Sequence, residues 1–216
     1  MLMGQAYQLR FQTYCMECGY LPPGDYPDQQ EKDSYDVHSE HFCAYNLKKD
    51  LIGYVRLVRP DAHDHFPFQN HRLGLYDSFE APPAEETGEI SRLIVSQQYR
   101  RRRGDSMAGV APEEINLLPS EERRLHSPQI LLTLYRQVYA FSLQEGVRYW
   151  YAAMEPALAR SLSCMNFGFR QIGPPADYYG MVAPYLADLR ELEERLDARN
   201  PELMDWLRTP ALTVLH

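Results

Sequence analysis

The sequence predicts an α+β domain, with a central mixed, mostly antiparallel sheet and helices on both faces. Three observations carry this expectation. Runs rich in Val, Ile, Leu and Tyr fall at 41–47, 51–59 and 89–96, as strands require. Apolar residues then recur at helical spacing, with Ile130, Leu134, Val138 and Phe141 following Ser127-Pro128. Finally strand, helix and two strands alternate over 147–185, so a meander is followed by a strand–helix–strand crossover.

Each element has its own signals. Residues 5–18 read as a helix, with Leu9, Phe11, Cys15 and Cys18 near one face and Gly19 at its end. Pro22, Pro23, Gly24 and Pro27 make 20–40 a long ordered loop or partial helix, and its acidic residues suit a solvated surface. Lys48-Lys49-Asp50 is placed as a hairpin turn. Pro60, Pro67, Pro82 and Pro83 keep 60–86 out of regular structure, and 97–126 is expected to be a mobile polar excursion. Ser127 caps the long helix with Pro128 in its first turn, and Gly146 ends it. Val147 to Ala153 is a strand, Pro156 opens a helix that ends by Gly168, and 169–172 and 178–185 are the last strands. A domain over 1–185 and a charged helical tail over 186–216 are expected.

The totals exclude several classes. The chain has 216 residues, 44% of them hydrophobic and 24% charged, enough for one sizeable core. A net charge of −8 argues against a general nucleic-acid binder. No run approaches the roughly 20 apolar residues of a membrane helix, and Met1 to Arg10 lack the pattern of a secretory signal, so a cytoplasmic protein is expected. The four cysteines are too few and too irregular for a disulfide scaffold. Cys15 and Cys18 lack a second ligand pair, so no metal site is assigned.

Several motifs stand in one order: Arg10-Phe11-x-x-Tyr14, Asp33-x-Tyr35-Asp36-x-His38, Gly53-Tyr54-Val55-Arg56-Leu57-Val58 and Glu89-Ile90-Ser91-Arg92-Leu93-x-Val95. Together they resemble the acyl-homoserine-lactone synthases and the N-acyl amino acid synthases, within the GCN5-related N-acyltransferase (acyl-CoA N-acyltransferase-like) fold. Ala153-Met154-Glu155-Pro156, Phe169-x-x-Ile172-Gly173-Pro174 and Tyr178-Tyr179-Gly180 look closer to acyltransferases associated with PEP-CTERM/exosortase systems. The resemblance covers residues 5–185. It implies an acyltransferase with no permanently bound cofactor, using acyl carrier protein (a phosphopantetheine thioester) or acyl-CoA as donor and an amino acid as acceptor. The alternatives are a lactone-type autoinducer synthase using S-adenosylmethionine, or a non-catalytic acyl- or lipid-binding module. Two departures stand out. Tyr20-Leu21-Pro22 occupies the place where the lactone synthases tend to have tryptophan. The turn that usually cradles coenzyme A with glycines reads Gln98-Tyr99-Arg100-Arg101-Arg102-Arg103-Gly104.

Aminolysis of a thioester needs a neutral amine, donors for the carbonyl oxygen and alignment of the reactants. Catalytic roles are assigned to Glu89, Ser91 and Arg92. Glu89 either takes a proton from the acceptor ammonium or is a salt-bridged strand residue. Substrate contacts are assigned to Arg10, Phe11, Asp33, Asp36, Arg56 and Met154. Arg56 and Arg92 lie within apolar strands and should pair with carboxylates, either structurally or by capturing a substrate carboxylate. Arg100, Arg101, Arg102 and Arg103 are assigned to docking of an acidic carrier protein. Phe66, Phe68, Phe79 and Tyr139 are expected to line an acyl pocket. In a regular strand Glu89 and Ser91 face one side and Ile90, Arg92 and Ile94 the other. Glu89 and Arg92 can therefore share a site only if a bulge near 90–92 breaks the alternation, and such a bulge is predicted.

Overall fold

A computed structural model describes residues 2–46, 48–60, 65–70, 73–100, 127–178 and 180–209. Seven strands form it: β1 (Ser39–Tyr45), β2 (Leu51–Val58), β3 (Thr87–Val95), β4 (Tyr149–Met154), β5 (Arg170–Gln171), β6 (Ala176–Asp177) and β7 (Met181–Asp188). Their order is β1-β2-β3-β4-β7-β5, with β6 also on β7. All pairings are antiparallel except β3 with β4. That parallel pair requires a long crossover, and α3 (Ser127–Gln144) supplies it.

Helices cover both faces. On one, α3 and α4 (Pro156–Cys164) bury Leu134, Tyr135, Val138 and Leu162 against Ile90, Val95, Trp150 and Ala187. Gly53 lets α3 sit close on β2, since a Cβ there would stand 2.6 Å from Ile130 Cγ2. On the other face α1 (Leu2–Phe11) continues into a π-helical turn, Gln12–Glu17. Ala6 and Tyr14 of this segment pack on Tyr54 and Ile94. Gly19, at φ +64, turns the chain away, and the Tyr20 N–H closes the helix end on the Tyr14 carbonyl at 2.8 Å. A short helix α2 (Pro67–Asn70) brings Phe66 and Phe68 onto Tyr151 of β4.

The C-terminal elements differ in detail from the sequence reading. The final strand runs to Asp188, whose side chain caps α5 (Leu189–Arg199) by accepting the Arg190 N–H at 2.9 Å. Asn200 caps α6 (Pro201–Arg208) in the same way, with Pro201 in its first turn. Leu189, Leu192 and Leu196 of α5 and Met204 and Leu207 of α6 are buried in the main core. The expected strand over 169–172 shrinks to two residues, and β6 forms where no strand was anticipated. Of the excursion expected over 97–126, residues 101–126 lie outside the described part.

The Gly53 contact sets a stability test. Gly53→Val should destabilise the fold by about 1–3 kcal/mol, because the methyls must displace Ile130 and Leu134 from a packed interface. Chemical denaturation of the two proteins measures it, and an unchanged midpoint would refute the close approach.

Candidate active site

The site begins with an irregularity in β3. Tyr54 pairs with Ile94, but Arg56, two residues on, pairs with Ser91, three residues away. One extra residue therefore sits in β3 between Ser91 and Ile94, and Arg92 there has φ +56. A non-glycine residue in this left-handed region costs about 1–2 kcal/mol. The bulge resets the alternation. Glu89 and Ser91 face α1, and beyond the bulge Ile94 faces the same way while Val95 joins Ile90 in the core under α3. The bulge expected near 90–92 is thus present, between Ser91 and Ile94.

A second irregularity adjoins the first. β3 and β4 pair from Thr87↔Tyr149 to Ile90↔Ala152 and then separate, while β4 stays paired with β7 to Met154. A cavity of about 160 Å³ opens at this separation. Its polar wall includes Glu89, Ser91, Arg92, Arg56 and Asp33, and its apolar wall includes Ile90, Tyr135, Ala152, Met154 and Leu158.

Behind the polar wall lies a network of three guanidiniums and three carboxylates. Arg10 donates to Glu31 at 2.5 Å and to Asp36 at 2.6 Å. Arg56 holds both oxygens of Asp33, at 2.6 and 3.0 Å, and reaches Asp36 at 2.7 Å. Arg92 donates to Glu31 at 3.0 and 3.2 Å and to Asp33 at 3.1 Å, and stacks over Tyr14 at 5.1 Å. These bonds hold the Arg92 side chain on the Glu89 face. The aspartates are brought together locally. In the 3₁₀ turn Ser34–His38, the Asp33 side chain accepts the Tyr35 N–H and the Asp36 side chain accepts the Asp33 N–H, both at 2.9 Å. Only Arg92 and Asp33 show appreciable surface, with 22% and 23% of their side chains exposed.

Charge balance sets the acidities. Although burial alone would raise them, the arginine contacts hold Glu31 and Asp33 below the usual carboxylate range and Asp36 down to about 2. Glu89 behaves in the opposite way. It forms no ion pair among the described residues, and its Oε2 accepts only the Phe68 N–H, at 3.0 Å. Burial dominates and pushes it up to about 7, against the opposing pull of the Phe68 N–H, Arg56 and Arg92. A proton acceptor titrating near neutrality thus faces the cavity beside an internally neutralised network.

The sequence-predicted residues divide accordingly. Glu89, Ser91, Arg92, Asp33, Arg56 and Met154 meet at the cavity, and Ser91 Oγ accepts from Arg56 at 3.2 Å. Arg10 and Asp36 lie behind its lining, and Phe11 is buried edge-on to Tyr26. The solvated acidic loop expected at Asp33 and Asp36 is instead a set of arginine partners. Phe68 lines the cavity, whereas Phe66 and Phe79 pack beside it on Tyr151. Tyr139 belongs to the core, donates to Glu193 at 2.8 Å and is not among the residues that line the cavity. Arg100 is tied down by the Val95 carbonyl and Glu17; Arg101, Arg102 and Arg103 lie outside the described residues. Cys15 and Cys18 are unbridged, on or just past the π-helical turn. Sequence reasoning missed Glu31, which accepts from two arginines, and Tyr135. Glu31 stands among Gln29, Gln30 and Lys32 with no apolar period to mark it as buried.

The parallel β3–β4 pair that separates halfway, a crossover helix on one face and an N-terminal helix on the other define the architecture. This is the GNAT fold. Residues 9–109, just under half of the chain, match the family described as an acetyltransferase (GNAT) domain. Among solved structures, the chain is similar to a CoA-dependent acyl-homoserine lactone synthase, BjaI, with SAM and isopentyl-CoA. The TM-score is 0.67 at 20% identity, over 97% of this chain and 83% of that one. It is similar to TofI in a ternary complex with an inhibitor and MTA, with TM-score 0.63 at 15% identity, over 94% and 92%. It is also similar to the AHL synthase LasI, with TM-score 0.58 at 16% identity, over 86% and 80%. No curated protein matches the chain. The family match and the GNAT fold support an acyltransferase.

Two stability predictions follow from the charges. Glu31→Gln removes a buried partner of both Arg10 and Arg92 and should cost about 3–5 kcal/mol by chemical denaturation. A loss below 1 kcal/mol would refute the network's role in stability. The pH profile has two limbs. Asp36 is depressed, so its contribution is complete above the unfolded value and is lost as pH falls toward about 2. Glu89 is raised, so the folded state binds the extra proton and stability declines as pH rises from the ordinary carboxyl range toward about 7. Glu89→Gln should flatten the second limb only, as read by melting temperature against pH.

Proposed function

We propose that the chain is an N-acyltransferase that moves a fatty acyl group from acyl carrier protein or acyl-CoA to the amine of an amino acid. The observation that carries this reading is Glu89, a buried carboxyl raised to about 7 at the point where the two parallel strands part. Such a group can take a proton from an ammonium at neutral pH and return it to solvent. The thioester lies along the separation of β3 and β4. Arg92 and Leu93 have no register partner in either neighbouring strand, which supports assigning their N–H groups as donors to the developing oxyanion. The freed amine attacks the carbonyl carbon, the carbon–sulfur bond breaks, and the thiolate leaves and takes up a proton. The products are an N-acyl amino acid and the carrier thiol. Asp33 and Arg92, the exposed members of the network, face the ammonium and carboxylate of the acceptor.

Several finer assignments belong to this proposal. The motif resemblance favours the exosortase-associated N-acyl amino acid synthases over the lactone synthases. Arg101–Arg103 are assigned to docking of the carrier protein, with Arg100 instead bracing the end of β3. Among the described residues no helix is long and apolar enough to cross a membrane, and we place the reaction in the cytoplasm. Residues 1–185 form the acyltransferase domain, to which the 186–216 segment adds its helices.

Mass spectrometry of reactions containing acyl carrier protein or CoA thioesters with a panel of amino acids tests the reading. N-acyl amino acids should form. Acyl lactones formed only with S-adenosylmethionine would overturn it in favour of an autoinducer synthase, and absence of both products would leave an acyl-binding module. Glu89→Gln should lower turnover by about 10²–10⁴-fold. The wild-type rate should rise with pH through about 7, as Glu89 loses its proton, and this limb should vanish in the variant. Retention of the limb would discredit Glu89 as the base.

A further inference from the structure

The short turn around α2 caps the cavity. Within it the Phe66 N–H donates to Gln69 Oε1 at 2.8 Å, and the Gln69 N–H donates to the Phe66 carbonyl at 3.1 Å. Pro67 and Phe68 of this closed unit line the cavity. Two hydrogen bonds tie it to the body of the protein. The Phe68 N–H donates to Glu89 at 3.0 Å, and the Asn70 amide donates to the Tyr35 hydroxyl at 2.6 Å. The rings of Phe66 and Phe68 rest on Tyr151, with centroids 5.2 and 4.9 Å away. Tyr151 is also the β4 register partner of Glu89. The cap thus gives Glu89 its hydrogen bond and keeps water from it.

Tyr35 is a fixed point for this cap. Its N–H donates to Asp33 at 2.9 Å, and its carbonyl accepts the Ser39 hydroxyl at 2.6 Å. Asp33 is held in turn by Arg56 and Arg92. A chain of contacts therefore runs from the ion network through Tyr35 and Asn70 to the cap and Glu89. Asn70 is exposed and does not line the cavity, so what its amide contributes is the bond to Tyr35.

The cap acts on the Glu89 proton in two opposed ways. The Phe68 N–H favours the ionised carboxylate, whereas exclusion of water disfavours it, and exclusion is the larger effect. The other charges acting on Glu89 are Arg56 on β2, Arg92 on β3 and Asp33 before the 3₁₀ turn. Tyr14 of the π-helical turn and Tyr151 of β4, both pushed up to about 12, stay neutral beside them. Water admitted by loosening the cap would return the carboxyl toward its ordinary range.

We propose that Tyr35 and Asn70 are positioning residues whose hydrogen bond latches the cap over Glu89, so that the closed cap readies the carboxyl to take a proton and the opened cap passes that proton to water. The part in turnover rests on the reading of Glu89 as the base; the effect on its titration does not.

Carbon-13 NMR of protein labelled at the glutamate carboxyls tests the latch without substrate, the Glu89 signal being the one lost in Glu89→Gln. In the wild type it should titrate near 7. In Tyr35→Phe and in Asn70→Ala the midpoint should fall by about one unit, the scale that a single hydrogen bond can transmit. The double variant should fall no further than either single one, because both remove the same bond. Tyr139→Phe deletes the 2.8 Å bond to Glu193 in the other core and should leave the midpoint in place. Unmoved midpoints in both single variants, additive shifts, or an equal shift in Tyr139→Phe would overturn the latch and leave the acyltransferase reading standing. A wild-type midpoint in the ordinary carboxyl range would overturn both. With thioester and amino acid present, the rising limb of rate against pH should move down with the NMR midpoint. A shifted midpoint in a protein that forms no N-acyl product would keep the latch and overturn the acyltransferase reading.

Discussion

The structure depends on one residue held where its backbone is unwelcome. Arg92 occupies the left-handed region inside a strand, and what keeps it there is the grip of Glu31 and Asp33 on its guanidinium. Without that grip β3 would gain by pairing regularly with β2. Glu89 and Arg92 would then point to opposite faces, and no residues of β3 would lack register partners beside the cavity. The ion network thus offsets a local backbone penalty and fixes the geometry of the cavity.

The network and Glu89 illustrate two fates of a buried carboxyl within one site. Glu31, Asp33 and Asp36 each meet cationic donors and stay ionised. Glu89 meets a single backbone N–H and an apolar wall, and its acidity weakens. The arginines influence Glu89 only at a distance, because their own carboxylates already satisfy them. A neutral network leaves the proton affinity of Glu89 high, whereas a free guanidinium beside it would lower that affinity, which the proposed role of a base could not tolerate.

Much of this was legible in the sequence, for identifiable reasons. The strands and the crossover helix follow from β-branched runs and from period-3.6 spacing bounded by Ser127-Pro128 and Gly146. The need for a bulge near Arg92 followed from parity alone, because Glu89 and Arg92 stand an odd number of residues apart. The extent of its effect was not legible, since the exchange of faces by Ile94 and Val95 depends on the pairing register. Glu31 was invisible because a carboxylate buried by distant arginines has no local pattern. Tyr135 looked like any other helical core position, and only its neighbours distinguish it from the paired Tyr139. The residues 176–188 were misjudged in detail because β6 and the capping of α5 by Asp188 are set by tertiary pairing, which overrides local propensity.

The three arginines come from positions 10, 56 and 92, and their partners from one short segment, 31–36, that leads into the 3₁₀ turn. No two of the arginines share a secondary-structure element, and every ion pair among them closes a loop of at least 20 residues. Docking any one element alone would strip water from charges whose counter-ions have not arrived. Helix α1, β2 and β3 must therefore come together around the turn in a concerted step. The half of the molecule containing the network should assemble all at once and slowly, with no comfortable halfway state.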